Sequence, residues 1–106
     1  ALDPTGTFDG VVSPQRGPNA TIVGTISGNY TLRNRGGLFN GEWNTVNNTG
    51  TFRGIFGRHF LVGRISGDGY DRTVPIVGFL WYNTTNFAGR FMAPIGPALY
   101  FRGNYT

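Results

Sequence analysis

The sequence lacks the residues on which most catalytic and metal sites depend. Among its 106 residues there is no cysteine and no lysine, and His59 is the single histidine. The absence of cysteine excludes disulfides, thiol catalysis and thiolate metal sites. None of the three serines lies in a glycine-flanked nucleophile turn, so a Ser-His-Asp triad is not evident. We therefore expect a protein that is not an enzyme and that has no metal or cofactor.

The chain has few charged residues, and its basic residues are all of one type. All nine basic residues are arginine, and with five acids they give a net charge of +4. A positive balance favours anionic partners, but charged residues make up only 13% of the chain, which is sparse for a nucleic-acid surface. No apolar run approaches the ~20 residues of a membrane-spanning helix, so no membrane span is expected. The chain opens at Ala1, as a processed exported protein or a shortened chain does.

Glycine between large apolar residues is the organising pattern. Nine of the 18 glycines have an apolar residue two positions before and two after, as in Phe39-x-Gly41-x-Trp43. This period of two predicts β-strands with one apolar face and one polar face, typical of antiparallel sheets. Glycine inside a strand also permits the sharp coiling of barrel corners. We therefore expect one all-β domain over 1–106, an antiparallel meander of about eight short strands that forms a small up-and-down β-barrel. A β-sandwich is the alternative.

One segment departs from the alternation. Pro75–Tyr82 is apolar on both faces, and the connection 92–100 is unusually apolar as well. A strand has this composition when both of its sides are covered. An exposed apolar patch usually marks an interface, although a loop folded over the strand is the alternative. The expected interface residues are Val77, Phe79, Trp81, Met92, Ile95, Leu99 and Tyr100.

Five N-x-Thr sequons occur, none with proline in the middle position. Such sequons accept N-linked glycans in exported proteins, and the alternative is that they are ordinary polar residues of turns and strands. Three of the asparagines fall in expected loops (Asn19, Asn47 and Asn83), and two fall at outward strand positions (Asn29 and Asn104).

Three segments carry a resemblance to a known kind of protein. The segments 50–57, 75–80 and 95–100 resemble small exported β-proteins of archaea that have no assigned activity. The likeness is in the style of the repeat and covers the last 60 residues or so. The strand Phe39–Trp43 also resembles the Gly-x-Trp strands of short hairpin repeats and of avidin-like barrels. Neither resemblance implies a functional residue.

The leading functional hypothesis is an extracellular or cell-surface structural subunit. Copies would form a homo-oligomer or a polymer (a filament, sheath or surface layer) through strand addition or hydrophobic docking. N-linked glycans would modify it, and residues 1–20 would be an extended donor or linker segment. One alternative is a barrel that binds a sugar or a small apolar ligand in a cavity lined by Trp43, Phe56 and Phe91.

A basic binder of single-stranded nucleic acid is the second alternative. The pattern disfavours it because stacking platforms need aromatic and basic side chains on one face, whereas here they alternate onto opposite faces. The outward arginines share their face with Asp9 and Glu42, so cross-strand ion pairs are the simpler expectation.

Overall fold

The computed structural model describes residues 5–14, 21–33, 36–46, 48–67, 73–92 and 98–106. Over these ranges the chain forms eight strands and no helix, which confirms the predicted all-β fold. The strands are β1 (Thr5–Ser13), β2 (Gly24–Arg33), β3 (Gly36–Thr45), β4 (Thr49–Phe56), β5 (Phe60–Gly67), β6 (Val74–Tyr82), β7 (Asn86–Met92) and β8 (Leu99–Tyr105).

The strands form a closed up-and-down barrel. Each strand pairs antiparallel with the next along the chain, and β1 also pairs with β8. The predicted meander and its closure are therefore confirmed, and the sandwich alternative is wrong. Because closure gives each of these strands a hydrogen-bonded neighbour on both sides, the described part of the sheet has no open edge.

The beginning of the chain differs from the expectation. Thr5–Ser13 is strand β1 of the barrel, where Phe8 lies opposite Gly28 on one side and Tyr105 on the other. The hypothesis of a donor or linker segment over 1–20 is therefore wrong for 5–13, because these residues complete the chain's own barrel. Residues 1–4 and 15–20 lie outside the described residues.

Inward positions alternate between bulky side chains and glycine. Glycine lies opposite glycine where β2 meets β3 (Gly28 and Gly41) and where β4 meets β5 (Gly54 and Gly63). A Cβ atom added to Gly54 would lie 2.6 Å from the Cα atom of Gly63 and 2.8 Å from the Phe39 ring. Real Cβ atoms do not approach other heavy atoms so closely. Glycine is thus required here by the close approach of neighbouring backbones and by the ring that covers them.

Aromatic side chains meet across the interior. The Phe8 ring of β1 lies 6.0 Å from the Phe52 ring of β4 and 5.9 Å from the Phe87 ring of β7. Neither strand is a neighbour of β1 in the barrel, so these contacts join separate parts of the wall. Four buried side chains form the centre of the core: Val12, Leu61, Ile76 and Phe101.

We predict that Gly54→Ala lowers the free energy of unfolding by about 1–3 kcal/mol, because the added methyl group overpacks the inner wall. Urea unfolding followed by tryptophan fluorescence measures the change. Thr25→Ala is the control, since Thr25 is exposed on the outer wall of β2. An equal loss in both variants would contradict the role given to the close approach at Gly54.

A second pair of variants tests which aromatic rings hold the barrel together. Phe8→Ala is expected to cost about 3 kcal/mol, because it removes a ring that contacts two other strands and leaves a cavity. Phe79→Ala is expected to change stability by less than about 1 kcal/mol, because Phe79 is on the outer wall and exposed. Thermal unfolding of both variants gives the comparison, and a larger loss from Phe79→Ala would contradict it.

Candidate functional site: the outer wall

The outer wall has an apolar region and a polar region. Cross-strand register places five outward apolar residues in one continuous row over β3 to β7: Leu38, Ile55, Val62, Val77 and Met92. Phe60 lies opposite Phe79 beside this row, and Trp81 follows on the same face of β6. We call these eight residues the outer apolar patch.

The outer apolar patch is large for a chain of this size. Its eight residues are between 41% and 51% exposed. When these fractions are applied to the accessible areas of fully exposed residues, the eight residues together expose roughly 700 Å². The largest apolar patch on a typical soluble monomer covers roughly 300–600 Å². A patch of this size is a candidate surface for interaction.

One end of the patch combines aromatic rings with an arginine. The Phe79 and Trp81 rings are stacked, with their centroids 6.2 Å apart, and the Arg90 guanidinium lies 5.1 Å from the centroid of Phe79. The cation–π contact holds the arginine against the rim of the patch. The expectation that arginines and aromatic rings lie on opposite faces is therefore wrong at this position, because β6 is apolar on both faces.

The predicted interface residues do not all lie in this patch. Val77, Phe79, Trp81 and Met92 do. Tyr100 is half-buried on the outer wall, opposite Arg90. The seven residues are not one surface, because Leu99 packs against the core from the inner wall and Ile95 lies outside the described residues.

Half of the patch was not among the interface residues expected from the sequence. Leu38, Ile55, Phe60 and Val62 occupy outward positions of β3, β4 and β5. The signal was present in the sequence, since each is an apolar residue out of phase with the inward glycines of its strand. That these residues form one patch depends on the register between neighbouring strands, which cannot be read from any one strand alone.

The residues of the predicted ligand cavity face the interior. The Trp43 indole N–H donates to the Ser66 carbonyl at 3.0 Å. The Phe56 ring lies 6.4 Å from Phe39, and the Phe91 ring 6.1 Å from Phe101. The three side chains thus line the interior and pack on different neighbours, and a ligand cavity among them stays a prediction.

The polar region contains a shallow depression of about 610 Å³ over β2 to β5. Arg53 and Arg64 lie directly opposite each other within it. Glu42 lies opposite Ser27 and Thr51. Outward hydroxyl and amide groups complete the lining of the depression: Ser27, Asn29, Asn40, Thr51, Ser66 and Thr73.

The expected cross-strand ion pairs do not form between directly opposed residues. Asp9 faces Ser27 on β2 and Asn104 on β8, and Glu42 also faces uncharged residues. Register places an arginine opposite an arginine instead, so charge in the depression is separated into a basic side and an acidic side.

Asn83 shapes the turn between β6 and β7. Its side-chain oxygen accepts hydrogen bonds from the backbone N–H groups of Thr85 (3.0 Å) and Asn86 (2.8 Å). Its carbonyl oxygen accepts from the Tyr105 hydroxyl. Asn83 therefore has a structural role that is independent of any glycan.

Two other sequon asparagines lie on the strands. Asn29 and Asn104 are exposed and point outward from β2 and β8. Asn19 and Asn47 lie outside the described residues. N-glycosylation of the five sequons stays a prediction.

Two searches of the described residues were negative. Within these ranges no three or more His, Asp or Glu residues are grouped so that they could hold a metal ion. The described residues include no helix that could span a membrane, since all of their regular elements are strands.

Comparison with protein-family models finds no match, and comparisons with curated proteins and with solved structures find no significant match.

The role of Asn83 in its turn can be separated from its role as a sequon. Asn83→Ala is expected to lower the free energy of unfolding by about 1 kcal/mol, because the two backbone N–H groups lose their acceptor. Asn83→Asp destroys the sequon but keeps an acceptor oxygen, so its stability should stay close to that of the parent. Chemical unfolding of unglycosylated protein tests both, and an Asp variant as unstable as the Ala variant would contradict the turn assignment.

Proposed function

We propose that this protein is a non-enzymatic structural subunit whose barrels associate with one another through the outer apolar patch. The observation that carries the proposal is the unbroken row of exposed apolar side chains over five neighbouring strands. The proposed location is outside the cell or on its surface, where the sequons would carry N-linked glycans.

The area of the patch supports a second copy of this chain as the partner. A standard protein interface buries about 800 Å² on each partner, and the patch supplies roughly 700 Å² of apolar surface before its polar rim is counted. A twofold arrangement needs only one self-complementary surface. An apolar surface can satisfy this requirement because its contacts are not directional.

Charge also supports this partner. The eight residues of the patch are uncharged, so two copies can approach there despite the net charge of +4 on each chain. The adjacent Arg90 is already held over the Phe79 ring. Docking therefore does not require a charge to be buried at the centre of the interface, where an unpaired charge is costly.

Barrel closure supports hydrophobic docking over strand addition as the mode of assembly. Strand addition requires an unpaired sheet edge, and the eight described strands are each paired on both sides. The proposal therefore keeps hydrophobic docking alone. One twofold interface gives a dimer, and a filament, sheath or surface layer needs a second contact surface on each barrel.

We expect Val77→Asp to raise the dissociation constant of the dimer at least about tenfold, because docking would bury an unpaired carboxylate. Val77 lies within the row, opposite Val62 on one side and Met92 on the other. Thr25→Asp is the matched control, with the same added charge on the far side of the barrel. Light scattering coupled to size exclusion, over a range of protein concentrations, measures both variants.

A parent protein that stays monomeric at all concentrations would contradict the proposal, as would an equal effect of the two variants. The dependence of association on salt concentration distinguishes this proposal from the nucleic-acid alternative. Hydrophobic docking should persist when the salt concentration is raised, whereas binding to a phosphate backbone weakens steeply.

A further inference from the structure

We propose that the depression over β2 to β5 binds an acidic saccharide, meaning a sugar that carries one carboxylate or sulfate group. This site lies on the polar region of the outer wall, directly beside the outer apolar patch, because Arg53 and Arg64 are two residues from Ile55 and Val62 on the same faces of β4 and β5. It is separate from the interior, where the sequence analysis placed a ligand.

The Arg53–Arg64 pair supplies the anion-binding part of the site. Directly opposed residues of an antiparallel pair have Cβ atoms about 5 Å apart, and like charges at such positions repel. An oxyanion placed between two guanidinium groups removes the repulsion and accepts hydrogen bonds from both. Each guanidinium presents a planar fork of donors that fits a carboxylate or sulfate group in a bidentate manner.

The rest of the lining fits a polyhydroxyl scaffold. The Thr51 and Ser66 hydroxyls share a hydrogen bond of 3.0 Å, and each retains capacity for a further partner. Asn40 lies opposite Arg53 on the neighbouring strand and contributes an amide donor and acceptor. The Glu42 carboxylate accepts hydrogen bonds only, which suits the hydroxyl hydrogens of a sugar.

The position of Glu42 argues against an extended polyanion. Arg53 and Arg64 lie on one side of the depression, whereas Glu42 lies beside Thr51, one outward position further along β3 and β4. A nucleic-acid strand that placed one phosphate between the arginines would bring its next charge towards this carboxylate. A ligand with one anionic group and several hydroxyl groups meets no such repulsion.

The size of the depression is consistent with a small ligand. Its volume of about 610 Å³ is within the range of small-molecule sites, roughly 300–1,000 Å³. Asn29 is one of its lining residues, so a glycan on Asn29 and a saccharide in the depression would compete for space. The test therefore uses protein that is unmodified at Asn29.

The experiment is a titration of the isotope-labelled protein, followed through its backbone amide resonances. The probes are a disaccharide that ends in glucuronic acid, the same disaccharide with glucose at that position, and inorganic sulfate. The acidic disaccharide should shift resonances of β3, β4 and β5 and bind at least tenfold more tightly than either other probe, because only it engages both parts of the site.

Variants assign the binding to the arginine pair. Arg53→Gln and Arg64→Gln should each weaken binding of the acidic disaccharide about tenfold or more. Arg53→Lys, which keeps the charge but loses the fork, should give an intermediate loss. Arg102→Gln is the control, because Arg102 is exposed on β8 and lies opposite Val11 and Ala88.

Three results would overturn the proposal: no binding of the acidic disaccharide, equal binding of the glucose analogue or of sulfate, or an equal loss in Arg102→Gln. Amide spectra of the free variants show whether each is folded. All four substitutions are at exposed outer positions, so the core is not disturbed.

Discussion

The close approach of backbone to backbone at the inward glycines is the constraint on which the rest of this structure depends. Where Gly54 faces Gly63, no side chain larger than a hydrogen atom fits between the strands and the Phe39 ring above them. Strands that coil so tightly can close into a barrel with a small interior. Aromatic rings cover the bare backbone of several inward glycines, as the Trp43 ring does at Gly50 and Gly67.

This arrangement determines what the outer wall can do. The interior is small, and the phenylalanine, isoleucine and leucine side chains that fill it supply most of the hydrophobic contacts that the fold needs. Apolar residues that remain outside, such as Ile55 and Val62, are not required by the barrel itself. Their alignment with Val77 over neighbouring strands concentrates the exposed apolar area in one region, and the remaining polar positions gather in the other.

The two regions suit different partners. The apolar region offers non-directional hydrophobic contacts, which suit another apolar surface such as that of a second copy. The polar region offers directed groups, because Arg53, Arg64 and Glu42 are fixed on rigid strands. If both surfaces are functional, the barrel is a subunit that associates with further copies of itself and also binds an acidic saccharide.

The sequence predicted the all-β class of fold, because a glycine with a bulky residue two positions before and two after, as at Phe39-x-Gly41-x-Trp43, is typical of a coiled antiparallel sheet. It also marked Val77, Phe79 and Trp81 as exceptional, since their strand is apolar on both faces. The three-dimensional fold, in contrast, revealed the pairing of β1 with β8, by which residues 5–13 form a strand of the barrel. It also decided which outward residues meet: Val62 beside Val77, and Arg53 opposite Arg64. The physical reason is that period two fixes the face on which a side chain lies, whereas its neighbours across strands depend on register and closure.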